Sequence, residues 1–207
     1  MSNETHLDTP LAGLGETGFQ HGNPDTVLLA EQPFVGFVNL RGDPQSAAFT
    51  EAVRSVIGVA PPLQPNTVAQ GSNACIMWLA PDEWLIRTLP DAAPEAAQSG
   101  SAGADLAHQI EAALGEEFSA VTDQTSGFSV IHLTGPHARD VLSKGCPLDL
   151  HPRVFGIGQC AQSHYFKTTV LLRRIEADRA EAWEVIVRRS FADYTARIMM
   201  DAMEEYL

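Results

Sequence analysis

Residues 130 to 151 read Val-Ile-His-Leu-Thr-Gly-Pro-His-Ala-Arg-Asp-Val-Leu-Ser-Lys-Gly-Cys-Pro-Leu-Asp-Leu-His, and this stretch decides the fold. Val130, Ile131 and Leu133 have the character of a buried strand's end, Gly135 lets the backbone turn, and Pro136 pre-sets φ for a helix's first residue. Ala138, Val141 and Leu142 then fall at i, i+3 and i+4, a short apolar face. Gly145 stands where a left-handed cap belongs, with Pro147 beyond it. The same order occurs earlier, as Phe37-Val-Asn-Leu-Arg-Gly-Asp-Pro44, a helix, Gly58, then Pro61 and Pro62. Leu40-x-Gly42 matches Leu133-x-Gly135, the segment Gly58 to Pro65 echoes Gly145 to Pro152, and Trp84 corresponds to Trp183. Aligned features in one order indicate an internal repeat. The expected fold is therefore α+β, two related split β-α-β lobes with helices on one face of each sheet.

Working outward, residues 1–32 are rich in Gly, Pro, Asp, Thr and Asn and are expected to form an irregular N-terminal arm. Its Leu7, Leu11, Leu14 and Phe19 would cover the body of the chain or anchor on another protein. Residues 33–116 are expected to form a first β-α-β-β-α lobe. It opens with a strand over 34–40, followed by a helix that Asp43 and Pro44 begin, with Phe49, Val53, Val56 and Ile57 on one face. A hairpin of 74–79 with 84–89, a flexible loop over 91–103 and a helix from Ala104 bearing Leu106, Ile110 and Leu114 complete it. Residues 117–207 are expected to form a second β-α-β-β-β-α lobe. Its strands fall at 118–121, 128–133, 159–166, 168–175 and 183–188, before a last helix that Ser190 caps and Phe191, Tyr194, Ile198 and Ala202 stripe.

With 207 residues the chain can bury roughly 70% of its unfolded surface, so a core needs neither disulfide nor metal. The net charge of −13, from 13 basic and 26 acidic residues, repels phosphate backbones and argues against nucleic acid. Arg139, Arg153, Arg173, Arg174, Arg179, Arg188, Arg189 and Arg197 nevertheless gather in the C-terminal third, either as solvated edge residues or as a seat for an acidic partner. No apolar run approaches the roughly 20 residues of a membrane span, and Met1 to Pro10 lacks a secretory leader. Cys75, Cys146 and Cys160 cannot all pair, which fits a reducing compartment, so the expected location is the cytoplasm.

Reactive constellations are weak. Cys146, His151, Cys160 and His164 invite a metal reading, but their spacing departs from structural zinc patterns. Cys160 with His164 as a nucleophilic pair fails on geometry, because residues four apart in a strand stand about 13 Å apart. Cys160 with His132 is weaker than the metal reading. Pro136 removes a donor from the one turn that might cradle phosphate, and no Gly-rich nucleotide loop exists. Asp123 before Thr125-Ser126-Gly127 reads equally as an Asx turn or an acid-base group, and Trp78 and Trp84 as core or interface anchors. No catalytic, cofactor-binding or metal-binding residue is therefore assigned.

The run from Leu133 to Pro152 resembles the gamma subunit family of bacterial heterotetrameric sarcosine oxidase. Trp78-Leu-Ala-Pro-Asp-Glu-Trp84-Leu85, Cys160-Ala-Gln162, Trp183-Glu-Val-Ile-Val187 and Ser190-Phe-Ala-x-Tyr194 add to the match, which covers nearly everything after Phe34. That family is similar in turn to the folate-binding aminomethyltransferases of glycine cleavage. The resemblance implies a complex that oxidatively demethylates sarcosine to glycine and passes the one-carbon unit to tetrahydrofolate. It implies alpha, beta and delta subunits as partners, alpha being the direct contact, with FAD, FMN, NAD, tetrahydrofolate and zinc on those other subunits. Aminomethyltransferases carry an acidic pair that this chain's Lys167-Thr-Thr-Val-Leu-Leu-Arg173 lacks, so the implied role is a non-catalytic subunit. The rivals are a free-standing folate-dependent one-carbon transferase and a zinc-dependent catalyst.

Overall fold

Two antiparallel sheets carry the chain, and each takes a strand from the segment that precedes the other's repeat. A computed structural model describes residues 8–15, 18–89, 100–176 and 181–207. In chain order the elements are β1 (Gln20–Asn23), β2 (Val27–Gln32), β3 (Phe37–Gly42), α1 (Ala47–Ile57), β4 (Val68–Gln70), β5 (Ala74–Ala80), β6 (Glu83–Thr88) and α2 (Ala102–Leu114). There follow β7 (Ser119–Asp123), β8 (Phe128–Thr134), α3 (Ala138–Ser143), β9 (Cys160–Tyr165), β10 (Thr168–Ile175), β11 (Ala182–Arg188) and α4 (Ala192–Met203). The first sheet runs β4-β5-β6-β3-β7 and the second β9-β10-β11-β8-β2-β1.

The repeat is visible strand by strand. Leu40 pairs with Trp84 across β3 and β6, and Leu133 with Trp183 across β8 and β11. Both tryptophans are fully buried, Trp84 at 5.7 Å from the Phe49 ring and Trp183 at 5.1 Å from Phe155. On the far side of the pair, Val121 of β7 stands beside Leu40 where Leu29 of β2 stands beside Leu133. Each repeat thus begins with a strand given to the other repeat's sheet.

This exchange corrects the expected division. Residues 20–32 are not an irregular arm, because β1 and β2 complete the second sheet, with Val27 and Leu29 buried in its core. β7 belongs to the first sheet although it lies after residue 117. Leu7 and residues 91–99 of the loop expected over 91–103 lie outside the described residues, Ala102 and Gly103 of that stretch already belong to α2, and Leu11 is buried in the second core with Leu14 and Phe19 packed against it.

Each sheet buries one face under its helices. Phe49, Val53 and Ile57 of α1 and Leu106, Ile110 and Leu114 of α2 cover the first sheet. Ser46, not Asp43, caps α1, its side chain accepting from Phe49 N–H; Asp43 forms an Asx turn with Gln45, and Gly58 at φ 86° ends the helix. Val141 and Leu142 of α3 and Ala192, Ala196, Met199 and Met203 of α4 cover the second sheet. α4 buries a different stripe from the one expected, leaving Phe191 46% exposed, and a short 3-10 turn over Arg189–Phe191 replaces the Ser190 cap. Gly135 does turn the chain at φ 118°. Gly145 is not left-handed; it is needed because a Cβ there would lie 2.4 Å from the Phe166 ring.

The opposite faces of the sheets meet each other. Phe37, Cys75, Met77 and Leu85 pack on Val130, Cys160, Leu171 and Ile186. The sheets also join along one edge, where Val68 N–H donates to Gly158 O at 2.8 Å and Cys160 N–H to Asn66 O at 2.9 Å. Thr67 and Gln159 face each other at this junction, on the local two-fold relation between the repeats.

Candidate functional site

The layer between the sheets is the place where both repeats contribute side chains, and its two ends differ. At one end the strand pattern puts a carboxylate among apolar neighbours. Trp183 and Val185 point to the helices, so Glu184 between them must point inward. Glu184 is fully buried and is held by Arg87 Nη2 at 2.8 Å, Arg173 Nε at 3.1 Å and His132 Nε2 at 3.1 Å. Arg87 comes from β6 and the other three from the second sheet, so the cluster ties the lobes together. Burial by itself would push this carboxyl up. The hydrogen bond from His132 and the charges of Arg87 and Arg173 outweigh it and hold the pKa at about 2. Arg87 and His132 both meet Oε1, while Oε2 has the Arg173 guanidinium beside it at ion-pair distance but no hydrogen bond, so Glu184 serves as an anchor for two guanidinium groups.

At the other end a cleft of about 500 Å³ stays open, floored by Leu85, Leu171 and Ile186 and rimmed by Asn39, Gln124, Gln162 and His164. Asn39 Nδ2 donates to Glu83 Oε1 at 2.8 Å, and Arg188 lies 4.6 Å from the Phe128 ring centroid. Such a cleft can take up a side chain or a small polar group.

The residues singled out in the sequence are separated or satisfied. Cys160 is wholly buried, its thiol directed at Thr67 O and Trp78 O, and burial pushes its pKa up to about 12. Burial likewise raises the Cys75 thiol, which Arg173 Nη1 approaches at 2.8 Å. His151 is exposed and accepts from Arg153, and His164 is exposed on β9, so neither completes a set with Cys146. Among the described residues no three His, Cys, Asp or Glu side chains converge to hold a metal ion. Asp123 Oδ1 accepts from the Thr125 N–H at 2.9 Å and hydroxyl at 2.6 Å, the Asx turn. The turn at Gly135 uses its N–H groups internally, donating from Gly135 to Glu181 O and from His137 to Thr26 O. Trp84 Nε1 donates to Pro62 O at 2.8 Å inside the core.

A pterin site does not fit the buried carboxylate. Glu184 is wholly buried behind Arg87, Arg173 and His132, out of a ligand's reach, and β10 carries no carboxylate from Thr168 to Ile175. Sequence reading missed Glu184, Arg87, Arg173 and His132 as a group. A charged residue inside Trp-Glu-Val-Ile-Val, on a strand covered on both faces, was the available signal.

Comparison with known proteins agrees with this arrangement. The family model described as the sarcosine oxidase gamma subunit family matches residues 41–205. The sarcosine oxidase subunit gamma of Corynebacterium sp. (strain P-1) is 36% identical over 199 residues, covering 96% of this chain and 90% of that protein. The Arthrobacter sp. subunit gamma is 35% identical over the same shares. A chain of the heterotetrameric sarcosine oxidase from Corynebacterium sp. U-96, solved in complex with pyrrole 2-carboxylate, superposes with a TM-score of 0.80 at 30% identity, covering 97% of this chain and 96% of that one. The glycine cleavage system aminomethyltransferase T of Bartonella henselae, at 15% identity, shares the fold with a TM-score of 0.66, covering 94% of this chain and 57% of that one. Among the described residues no helix is long and apolar enough to cross a membrane. On this evidence the chain belongs to the sarcosine oxidase gamma subunit family.

Proposed function

We propose that this chain is the non-catalytic gamma subunit of a cytoplasmic heterotetrameric sarcosine oxidase, completing an assembly with alpha, beta and delta subunits and contacting alpha directly. The demethylation of sarcosine to glycine and the transfer of its one-carbon unit then occur on the other subunits, which hold FAD, FMN, NAD, tetrahydrofolate and zinc. The observation that carries this reading is the state of the reactive groups. Glu184 is neutralised by two arginines, and Cys75 and Cys160 are sealed between the sheets. Meanwhile apolar side chains stand in solvent, available for burial against a partner: Phe118 is 96% exposed, Leu63 66% and Ile157 61%. The division into two strand-exchanging lobes gives such a subunit a rigid frame from which these side chains project.

The test is to purify the chain alone and co-expressed with the three other subunits. The expected outcome is sarcosine-dependent electron transfer in the four-subunit preparation and none from the chain alone, which self-associates. Turnover by the isolated chain, or saturable tetrahydrofolate binding to it, would favour the folate-dependent transferase instead.

A further inference from the structure

Beside the exchanged strand β2, a cavity of about 320 Å³ opens between the start of β8, the connection from β2 to β3, and residues 8–10. Its walls combine carboxylates with phenyl rings. Glu31, Asp8 and Asp123 supply three acids against one guanidinium, Arg189, whose Nη2 already donates to Asp8 O at 2.7 Å. Phe34, Phe37 and Phe128 supply the aromatic surface, the last two with ring centroids 5.4 Å apart.

Two polar groups line it from strands β2 and β8. Glu31 is 7% exposed, and its carboxylate accepts from the Thr9 hydroxyl at 3.1 Å. Burial raises its pKa, with Arg189 compensating least among the lowering influences. Ser129, 8% exposed, lines the same cavity, and its buried hydroxyl has no hydrogen-bond partner. An unpaired buried hydroxyl is destabilising, so its retention needs a reason. Phe34 adds a second cost, standing at φ 56°, where a bulky residue is rarely found, with its side chain on the cavity.

We propose that this cavity binds a small organic ammonium ion. An N–H of the ion reaches the Glu31 carboxylate, a second N–H reaches the Ser129 hydroxyl oxygen, and the alkyl groups lie against the phenyl rings, whose faces attract cations. The volume lies at the small end for ligand pockets, which suits an ion of a few heavy atoms. The carboxylate excess supplies the counter-charge. This site is independent of the subunit reading above.

The test is calorimetric titration of the co-expressed complex with dimethylammonium chloride, with sodium chloride as the blank. Glu31→Gln keeps the bond to Thr9 and removes the charge. Phe34→Gly removes a ring and relieves the backbone at φ 56°, so it separates ring from fold. The account expects saturable heat from the wild-type complex, weakened at least tenfold by Glu31→Gln and several-fold by Phe34→Gly. Heat that does not saturate, or binding that both variants leave unchanged, would overturn it. If the isolated chain proves to be the native state, the same titration applies to it and the two proposals fail or stand separately.

Discussion

The two repeats place different residues at one equivalent position, and this decides which end of the inter-sheet layer is closed. Aligning Trp84 with Trp183 puts Leu85 opposite Asn39 in the first sheet and Glu184 opposite His132 in the second. At the second, two arginines and a histidine close on the carboxylate. At the first, Leu85 and Asn39 border an open cleft. A duplicated frame has thus specialised, one copy supplying the ionic clamp and the other the opening. The helical faces differ too. Ser46 caps an eleven-residue α1, while α3 has six residues and no side-chain cap, followed by a long connection that exposes Val154 and Ile157.

The largest effect should come from the clamp. Glu184→Ala leaves Arg87 and Arg173 buried without their counter-charge, and removing one partner of a buried ion pair typically costs about 3–5 kcal/mol. Hydrogen exchange read on peptides of β10, β11 and β6 should show coordinated loss of protection, because the clamp spans both lobes. Loss confined to β11 would break the comparison. The clamp also carries a pH signature. The two arginines and His132 hold the Glu184 carboxyl at about 2 in the folded chain against the usual carboxylate 4.5, so its contribution is present above about pH 4.5 and lost as pH falls toward 2. At 1.36 kcal/mol per unit this amounts to about 3 kcal/mol, and the acid limb of a stability profile should flatten in Glu184→Gln.

Leu85→Ala at the open end should cost about 2 kcal/mol, the low end for a core leucine, because the side chain already borders a cavity. Denaturant midpoints of the two variants give the contrast directly. The tryptophans sharpen it further. Trp84→Phe loses the bond to Pro62 O, whereas the buried Trp183 indole N–H has no partner to lose. Trp84→Phe should therefore be more destabilising than Trp183→Phe by about 1 kcal/mol, and equal midpoints would deny the difference. Smallest of all is Arg41→Ala. Its pair with Asp82 at 3.2 Å is about half exposed on both sides, and thermal melts should move by no more than about 0.5 kcal/mol equivalent.

Much of the frame could be read before the structure. Leu40-x-Gly42 and Leu133-x-Gly135 mark equivalent strand ends for different reasons: Gly135 turns the chain at φ 118°, while a Cβ on Gly42 would lie 2.2 Å from the Phe49 ring. The hairpin of β5 and β6 and the helix faces of α1 and α2 followed from periodicity. Strand exchange was not legible, since alternation shows that a strand exists and not which neighbour it pairs with. β2 itself alternates buried and half-buried residues from Val27 to Gln32, a signal that the polar composition of the surrounding segment obscured. Gly145 was misassigned because a close side-chain contact and a left-handed cap both call for glycine. The clamp stayed hidden because its members are dispersed along the chain: His132 and Arg173 reach Glu184 by strand pairing and Arg87 by sheet stacking, neither of which a local pattern encodes.

The most direct test of the central claim is native mass spectrometry of material captured through a tag on this chain after co-expression with the alpha, beta and delta subunits. The account predicts one copy of each of the four subunits in a single assembly. Recovery of this chain as a monomer or homo-oligomer, with the other three assembled without it, would contradict the account.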